Sequence, residues 1–100
     1  MKAVTVINHL VIKAGMMDEF IDAQRKFASA LPPCGLVGGR MYRSLDGRSA
    51  VLVSIFASQT QQEELAQRAD FKEHLRTLQP FVDSSSPGLY EEAYAVGEVR

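Results

Sequence analysis

Two adjacent polar residues, Asn8 and His9, interrupt an apolar segment near the start of the chain (residues 3–12, AVTVINHLVI). A strand would place Asn8 on the same face as Val6 and Leu10, and His9 on the opposite face. An amide that is buried without a partner costs roughly 1–3 kcal/mol, so Asn8 must be satisfied by the protein or by a ligand. Asn8 is therefore either a structural amide or a donor and acceptor that faces a pocket.

His74 is the second candidate, because an imidazole titrates near neutral pH and can act as a general base or as an axial ligand. Helical spacing places it on the same side as Phe71 and Leu78, at the margin of an apolar stripe. The simpler alternative is a half-exposed histidine at the edge of the core. We treat Asn8 and His74 as the candidate catalytic residues.

A pocket for a flat aromatic molecule would need apolar and aromatic walls. The chain has five phenylalanines and no tryptophan, and most of the phenylalanines belong in the core by default. Some of these phenylalanines could also line a pocket between the helices and the sheet. The candidate substrate-binding residues are Phe20, Phe56, Phe71 and Leu78.

The composition argues against several other classes of function. The chain of 100 residues has a net charge of −1 and no Lys/Arg cluster, which gives no electrostatic basis for binding nucleic acid. Cys34 is the only cysteine, and no metal-ligand spacing or phosphate-binding loop is present, so we expect no disulfide and no metal centre. No apolar stretch is long enough to cross a bilayer, and a cytoplasmic protein with no membrane partner is the simplest expectation.

Hydrophobic periodicity predicts four strands and two helical regions that would position these side chains. The predicted strands cover residues 4–13, 36–45, 50–57 and 89–96, and the predicted helices cover 17–31 and 60–79, with a break near 69–70. Residues 84–88, SSSPG, are predicted to form a polar loop because serine, proline and glycine favour turns.

Local signals mark the ends of these elements. The proline pair that begins at Pro32 ends the first helix, because a residue before proline disfavours helical angles. Ser58 or Thr60 is the expected N-cap of the second helical region. Gly38 and Gly39, inside the second strand, predict a bulge or a close approach of two backbones.

The order strand, helix, strand, strand, helix, strand predicts an α+β, ferredoxin-like βαββαβ fold with a four-stranded antiparallel sheet, in a single domain over residues 1–100. Two helices can cover only one face of that sheet. The third strand is apolar on both faces, with Val53 and Ile55 on one side and Phe56 on the other. We therefore expect a homodimer in which sheet packs on sheet, with His9 at the interface.

Three short motifs occur in an order and spacing that resemble one known family. Residues 4–20, VTVINHLVIKAGMMDEF, resemble the start of antibiotic biosynthesis monooxygenase (ABM) domains. Those domains begin with a strand that bears an asparagine, a Lys-x-Gly turn and an acidic-Glu-Phe helix start. Residues 69–75, ADFKEHL, resemble the second-helix motif of the family, and residues 87–91, PGLYE, resemble the entry to its last strand.

The resemblance implies a dimeric α+β barrel that oxygenates a polycyclic aromatic phenol or anthrone with O₂, without flavin, metal or haem. The substrate would be ionised to an electron-rich anion that reacts with O₂ directly, and the protein would supply deprotonation and charge stabilisation. On this interpretation Asn8 hydrogen bonds to the substrate oxygen or to the peroxide, and His74 assists proton transfer. The resemblance therefore implies a cofactor-independent monooxygenase of a small polycyclic or quinol-type aromatic.

Two alternatives remain open. One is a non-catalytic dimer that binds a small aromatic molecule or is associated with stress. The other is a haem-binding or haem-degrading relative, because the haem-degrading branch also combines a strand asparagine with a helix histidine. In that branch the histidine follows the helix phenylalanine by four residues, and a tryptophan ends the third strand. Here His74 follows Phe71 by three residues, and Phe56 occupies the tryptophan position.

Overall fold

The computed structural model describes residues 2–98, which form one four-stranded antiparallel sheet with helices on one face. The elements are β1 (Val4–Ile12), α1 (Met17–Ala30), β2 (Leu36–Arg43), β3 (Ser49–Phe56), α2 (Gln59–Gln67), α3 (Ala69–Leu78), a 3₁₀ turn (Gln79–Phe81) and β4 (Val82–Tyr90). The strand order is β2-β3-β1-β4, and each neighbouring pair is antiparallel. This is the ferredoxin-like α+β fold that the sequence predicts.

The core lies between the helices and the face of β1 that bears Asn8. Leu10 and Ile12 on that face are buried, and Phe20 of α1 is only 1% exposed. Alternation along the strand therefore directs Asn8 toward the helix layer and His9 toward the opposite face, as predicted. The buried cluster consists of Leu10, Ile12, Met17, Phe20, Ala50 and Leu78.

The helix ends follow their local signals. The helix α1 ends at Ala30, before the proline pair, and Ser58 caps α2 by accepting a hydrogen bond from the Gln61 N–H at 3.2 Å. Arg68 has an extended backbone (φ −69°, ψ 141°), which separates α2 from α3 close to the predicted break. No helix in residues 2–98 is long and apolar enough to cross a membrane.

The glycine pair in β2 serves both of the purposes that its sequence allowed. The register of β2 against β3 shifts between Leu36 and Gly38, which is the signature of a bulge. At Gly39 a Cβ atom would lie 2.8 Å from the carbonyl oxygen of Val53, whereas at Gly38 it would meet no atom within 4 Å. Gly39 therefore permits the close approach of the two backbones.

The prediction for the last strand was wrong in position. Residues 84–88 are not a loop but the middle of β4, and residues 91–96 have no regular structure. An edge strand tolerates serine, glycine and proline, because one side of its backbone has no ladder partner. Tyr94 and Val96, which were expected to lie in this strand, are 83% and 81% exposed.

Within residues 2–98, no helix covers the second face of the sheet. Ile7 and Val11 of β1 and Val53 of β3 are only half-buried there, and Ile55 is 38% exposed. Apolar side chains on an uncovered sheet face usually mark an interaction surface. We call this set, together with Val51, Tyr42 and Tyr90, the open sheet face.

Candidate functional site

The helix α3 places His74 against the aromatic ring of Phe27 from α1. The two ring centroids lie 3.9 Å apart and the planes differ by 4°, so the rings are stacked. Phe71, one turn before His74, meets the same Phe27 ring in a tilted arrangement with centroids 6.0 Å apart. His74 is 8% exposed, which is more buried than a residue at the margin of the apolar stripe was expected to be.

Among residues 2–98, one side-chain hydrogen bond anchors the imidazole. The Nε2 atom of His74 lies 2.6 Å from the Oε1 atom of Gln24, which is on the neighbouring helix α1. Burial lowers the pKa of His74 from its ordinary value of 6.5. The ring is therefore uncharged at neutral pH, the state in which an imidazole can accept a proton.

His74 lies in the wall of an open groove of about 380 Å³ between the C-terminal half of α1 and α3. Phe27, Ala30 and Leu31 form an apolar wall on the α1 side. The residues from α3 are polar or charged, so the groove has one apolar and one polar side. Its lining consists of Phe27, Ala30, Leu31, Asp70, Glu73, His74 and Thr77.

The two carboxylates on the polar side each have an arginine partner. Arg68 donates two hydrogen bonds to Asp70, at 3.1 and 2.8 Å, and these lower the pKa of Asp70. Glu73 forms an ion pair with Arg76 at 3.0 Å. These pairs balance the acidic charge at the edge of the groove, so an anionic ligand would not face two unpaired carboxylates.

Asn8 lies on the helix-facing side of β1, between Leu52 of β3 and Pro87 of β4. Its Oδ1 atom accepts a hydrogen bond from the backbone N–H of Ser86 at 3.1 Å. Its side-chain NH₂ has no hydrogen-bond partner among residues 2–98. The amide oxygen is thus used structurally, while the amide donor remains available.

The structure brings together only part of the predicted site. Of the four predicted pocket residues, Phe71 is half-buried beside Phe27, whereas Phe20, Phe56 and Leu78 are buried core residues. None of these four lines the groove, and neither does Asn8. No hydrogen bond joins Asn8 to His74 within residues 2–98.

Sequence reasoning missed the contribution of α1 to the site. Gln24 and Phe27 lie on the core-facing side of that helix. Nothing in the sequence around them indicates a contact with His74, which is 50 residues after Gln24. The topology could have indicated them, since two helices on one sheet face must be neighbours. No group of three or more His, Cys, Asp or Glu residues in the described chain could hold a metal ion.

Comparison with known proteins gives matches among solved structures alone: no family model and no curated protein sequence matches the chain. The chain is similar to SnoaB, a cofactor-independent oxygenase from Streptomyces nogalater, with a TM-score of 0.85 and 22% identity. The match covers 98% of this chain and 100% of SnoaB.

Two candidate antibiotic biosynthesis monooxygenases are also similar to this chain. The protein from Bordetella bronchiseptica has a TM-score of 0.82 and 14% identity, covering 94% of this chain and 100% of that one. The protein from Nitrosomonas europaea has a TM-score of 0.77 and 16% identity, covering 95% and 94%. The chain therefore has the ABM-type fold, as its sequence resemblance implied, and the activity requires a separate argument.

Proposed function

We propose that this chain is a cofactor-independent monooxygenase that oxidises a small polycyclic or quinol-type aromatic with O₂. The observation that supports this most is the buried imidazole of His74, stacked on Phe27 in the wall of a groove with an apolar side, where burial lowers its pKa. The similarity of the fold to SnoaB, over 98% of the chain, agrees with the same class of reaction. An aromatic substrate would supply the electrons for O₂, so the protein's main tasks are to remove a proton and to stabilise negative charge.

His74 is the proposed general base. An imidazole with its pKa below 6.5 is uncharged at neutral pH and can accept the proton of an acidic hydroxyl or anthrone C–H group. The resulting aromatic anion is electron-rich and would react with O₂. The aromatic ring of Phe27 and the side chains of Ala30 and Leu31 are suited to contact the apolar body of such a substrate.

Asn8 is the proposed hydrogen-bond donor to the substrate oxygen or to the peroxide. Its NH₂ group has no partner in the described residues, and it lies on the same side of the sheet as the helices. Phe71 would contact the substrate beside Phe27. The buried side chains of Phe20, Phe56 and Leu78 would complete the pocket if it extends from the groove toward Asn8.

The partner that we propose is a second copy of this chain, which would cover the open sheet face. Val53 and Ile55 of β3 remain partly exposed on that face, beside Ile7 of β1. Residues 2–98 contain no further helix with which to bury them. A symmetric pair of sheets would remove this apolar area from water.

Oxygen uptake with an anthrone or a dihydroxynaphthalene tests the proposed reaction. We expect O₂ consumption that depends on the protein and is reduced at least roughly tenfold in His74→Gln, because the proton acceptor is lost. Lys72→Gln, on the exposed side of the same helix, is the matched control and should retain activity. Absence of uptake with both substrate types, or full activity in His74→Gln, would refute the proposal.

The alternative of a non-catalytic binding protein is favoured by the groove alone, which is large enough for a small aromatic molecule. It predicts that such a ligand raises the melting temperature without consumption of O₂. Haem binding fits the geometry less well, because Nε2 of His74 is already bonded to Gln24 and the ring is stacked on Phe27. A Soret shift that disappears in His74→Ala would support haem binding.

A further inference from the structure

We propose that Gln24 is a positioning residue that holds His74 in the tautomer with its proton on Nε2. Nδ1 is then the atom that takes a proton from a weakly acidic hydroxy-aromatic ligand in the groove between α1 and α3. The identity of the ligand rests on the proposed function. The tautomer and its control by Gln24 do not, and they can be measured in the protein without substrate.

The hydrogen bond between the two helices identifies which imidazole nitrogen bears the proton. The Oε1 atom of Gln24 is an amide oxygen, which accepts hydrogen bonds and cannot donate them. Since Nε2 of His74 lies 2.6 Å from this oxygen, Nε2 must be the donor. In an uncharged imidazole only one nitrogen bears a proton, so Nδ1 has a free lone pair.

Nδ1 is the imidazole nitrogen that is accessible from the groove. It has no hydrogen-bond partner among residues 2–98. In the same part of the chain, no side-chain nitrogen or oxygen atom is both buried and without a partner. Nδ1 therefore reaches the surface although His74 as a whole is buried, and the surface that His74 borders is the groove.

Two contacts fix the orientation of the imidazole ring. Stacking on Phe27, with centroids 3.9 Å apart and planes within 4°, fixes the plane of the imidazole. The bond to Gln24 fixes its rotation within that plane. Together the two contacts prevent exchange of Nδ1 and Nε2 by a ring flip, so one nitrogen is always presented to the groove.

The charges around His74 favour a ligand that is uncharged when it enters. The α1 side of the groove has no ionisable group, and on the α3 side Asp70 and Glu73 are each paired with an arginine. An amide partner, unlike a carboxylate, does not favour the imidazolium form. Proton transfer would break the ligand O–H bond and form an Nδ1–H bond, while Nε2–H still bonds to Gln24; the proton then leaves to water through the open groove.

Nitrogen NMR of uniformly ¹⁵N-labelled protein measures the tautomer directly. We expect wild-type His74 to be in the Nε2–H form at neutral pH and Gln24→Leu to contain both tautomers. Gln62→Leu is the matched control, because Gln62 is a half-buried glutamine of α2 without a side-chain hydrogen bond in the described chain, and it should leave the tautomer unchanged. An Nδ1–H form in the wild type, or an unchanged tautomer in Gln24→Leu, would overturn the proposal.

Gln24→Glu is a second variant that preserves the size and the acceptor. Its carboxylate should raise the pKa of His74, which an NMR titration records, and should shift the acid limb of the activity profile to higher pH. An unchanged pKa of His74 in Gln24→Glu would contradict the contact between residue 24 and the imidazole. If the tautomer and titration results hold but no O₂ is consumed, the proposed function fails and the positioning role of Gln24 stands.

Discussion

At the scale of single residues, Asn8 combines a structural and a proposed chemical role in one amide. Oδ1 is bonded to the backbone N–H of Ser86, and the NH₂ group remains unpaired within residues 2–98. Asn8→Ala removes both groups, whereas Asn8→Asp retains an acceptor for Ser86 and removes the donor. The pair of variants therefore separates the two roles.

We expect Asn8→Ala to lower the free energy of unfolding by about 1 kcal/mol, since the hydrogen bond from the Ser86 N–H to the Asn8 side chain is lost. Both Asn8→Ala and Asn8→Asp should lose most of the O₂ uptake, because both lack the donor. Urea unfolding and an oxygen electrode measure the two effects. Normal turnover by folded Asn8→Asp would show that the amide donor takes no part in the reaction.

His74 should make stability depend on pH. Its pKa is lowered in the folded state by burial, so below about pH 6.5 the unfolded chain binds a proton that the folded chain does not. The free energy of unfolding should therefore decrease as the pH falls below about 6.5, and the decrease should end once the pH is below the lowered pKa.

The measurement is urea unfolding of wild type and His74→Gln between about pH 8 and about pH 5. Subtracting the two series cancels the titration of the carboxylates that both proteins share. As the pH falls, we expect the free energy of unfolding of the wild type to decrease relative to that of His74→Gln. Parallel curves for the two proteins would contradict the shifted pKa.

Sequence reasoning placed His74 on the second helical region, one turn after Phe71, because helical spacing fixes that relation. It underestimated the burial of His74 and did not find Gln24 or Phe27. Those contacts depend on how two helices pack, and their residues are far apart in the chain. Local periodicity contains no information about such a pairing.

At the scale of elements, the approach of β2 to β3 depends on Gly39. A Cβ there would lie 2.8 Å from the carbonyl oxygen of Val53, which is backbone and cannot move aside. We expect Gly39→Ala to lower the free energy of unfolding by about 1–3 kcal/mol, the usual range for overpacking. Gly38→Ala is the matched control, since its Cβ would meet nothing within 4 Å, and equal effects of the two substitutions would contradict this account.

The last strand shows where composition misleads about elements. Residues 84–88 are serine, proline and glycine, which are typical of turns, and an alternating apolar segment begins only at Leu89. For these reasons the strand was predicted too late in the chain. In the structure, β4 is extended because it pairs with β1 along nearly its whole length, from Thr5↔Tyr90 to Ile12↔Val82. Pairing with a strong strand determined the conformation there, against the local preference of the residues.

At the scale of the whole molecule, the topology was predictable because strand and helix periods alternate clearly along the chain. The same pattern showed an apolar second face in β3, and no helix in the described part of the chain covers that face. We expect sedimentation equilibrium of the wild type to give twice the mass of one chain, because two open sheet faces would bury each other.

Ile55→Asp tests this expectation, since Ile55 lies on the open sheet face and is 38% exposed in the single chain. A sheet-to-sheet interface would remove water from the carboxylate of Asp at this position. The free energy of that desolvation would exceed the free energy gained by burying the two apolar faces, so we expect monomers. Leu45→Asp is the matched control, because it also replaces an aliphatic side chain by a carboxylate. Leu45 is fully exposed at the tip of the β2–β3 hairpin, away from the open sheet face. Dimers that persist in Ile55→Asp, or that dissociate equally in Leu45→Asp, would show that the second copy binds elsewhere. Loss of the dimer with unchanged tautomer of His74 would show that the groove site is complete within one chain.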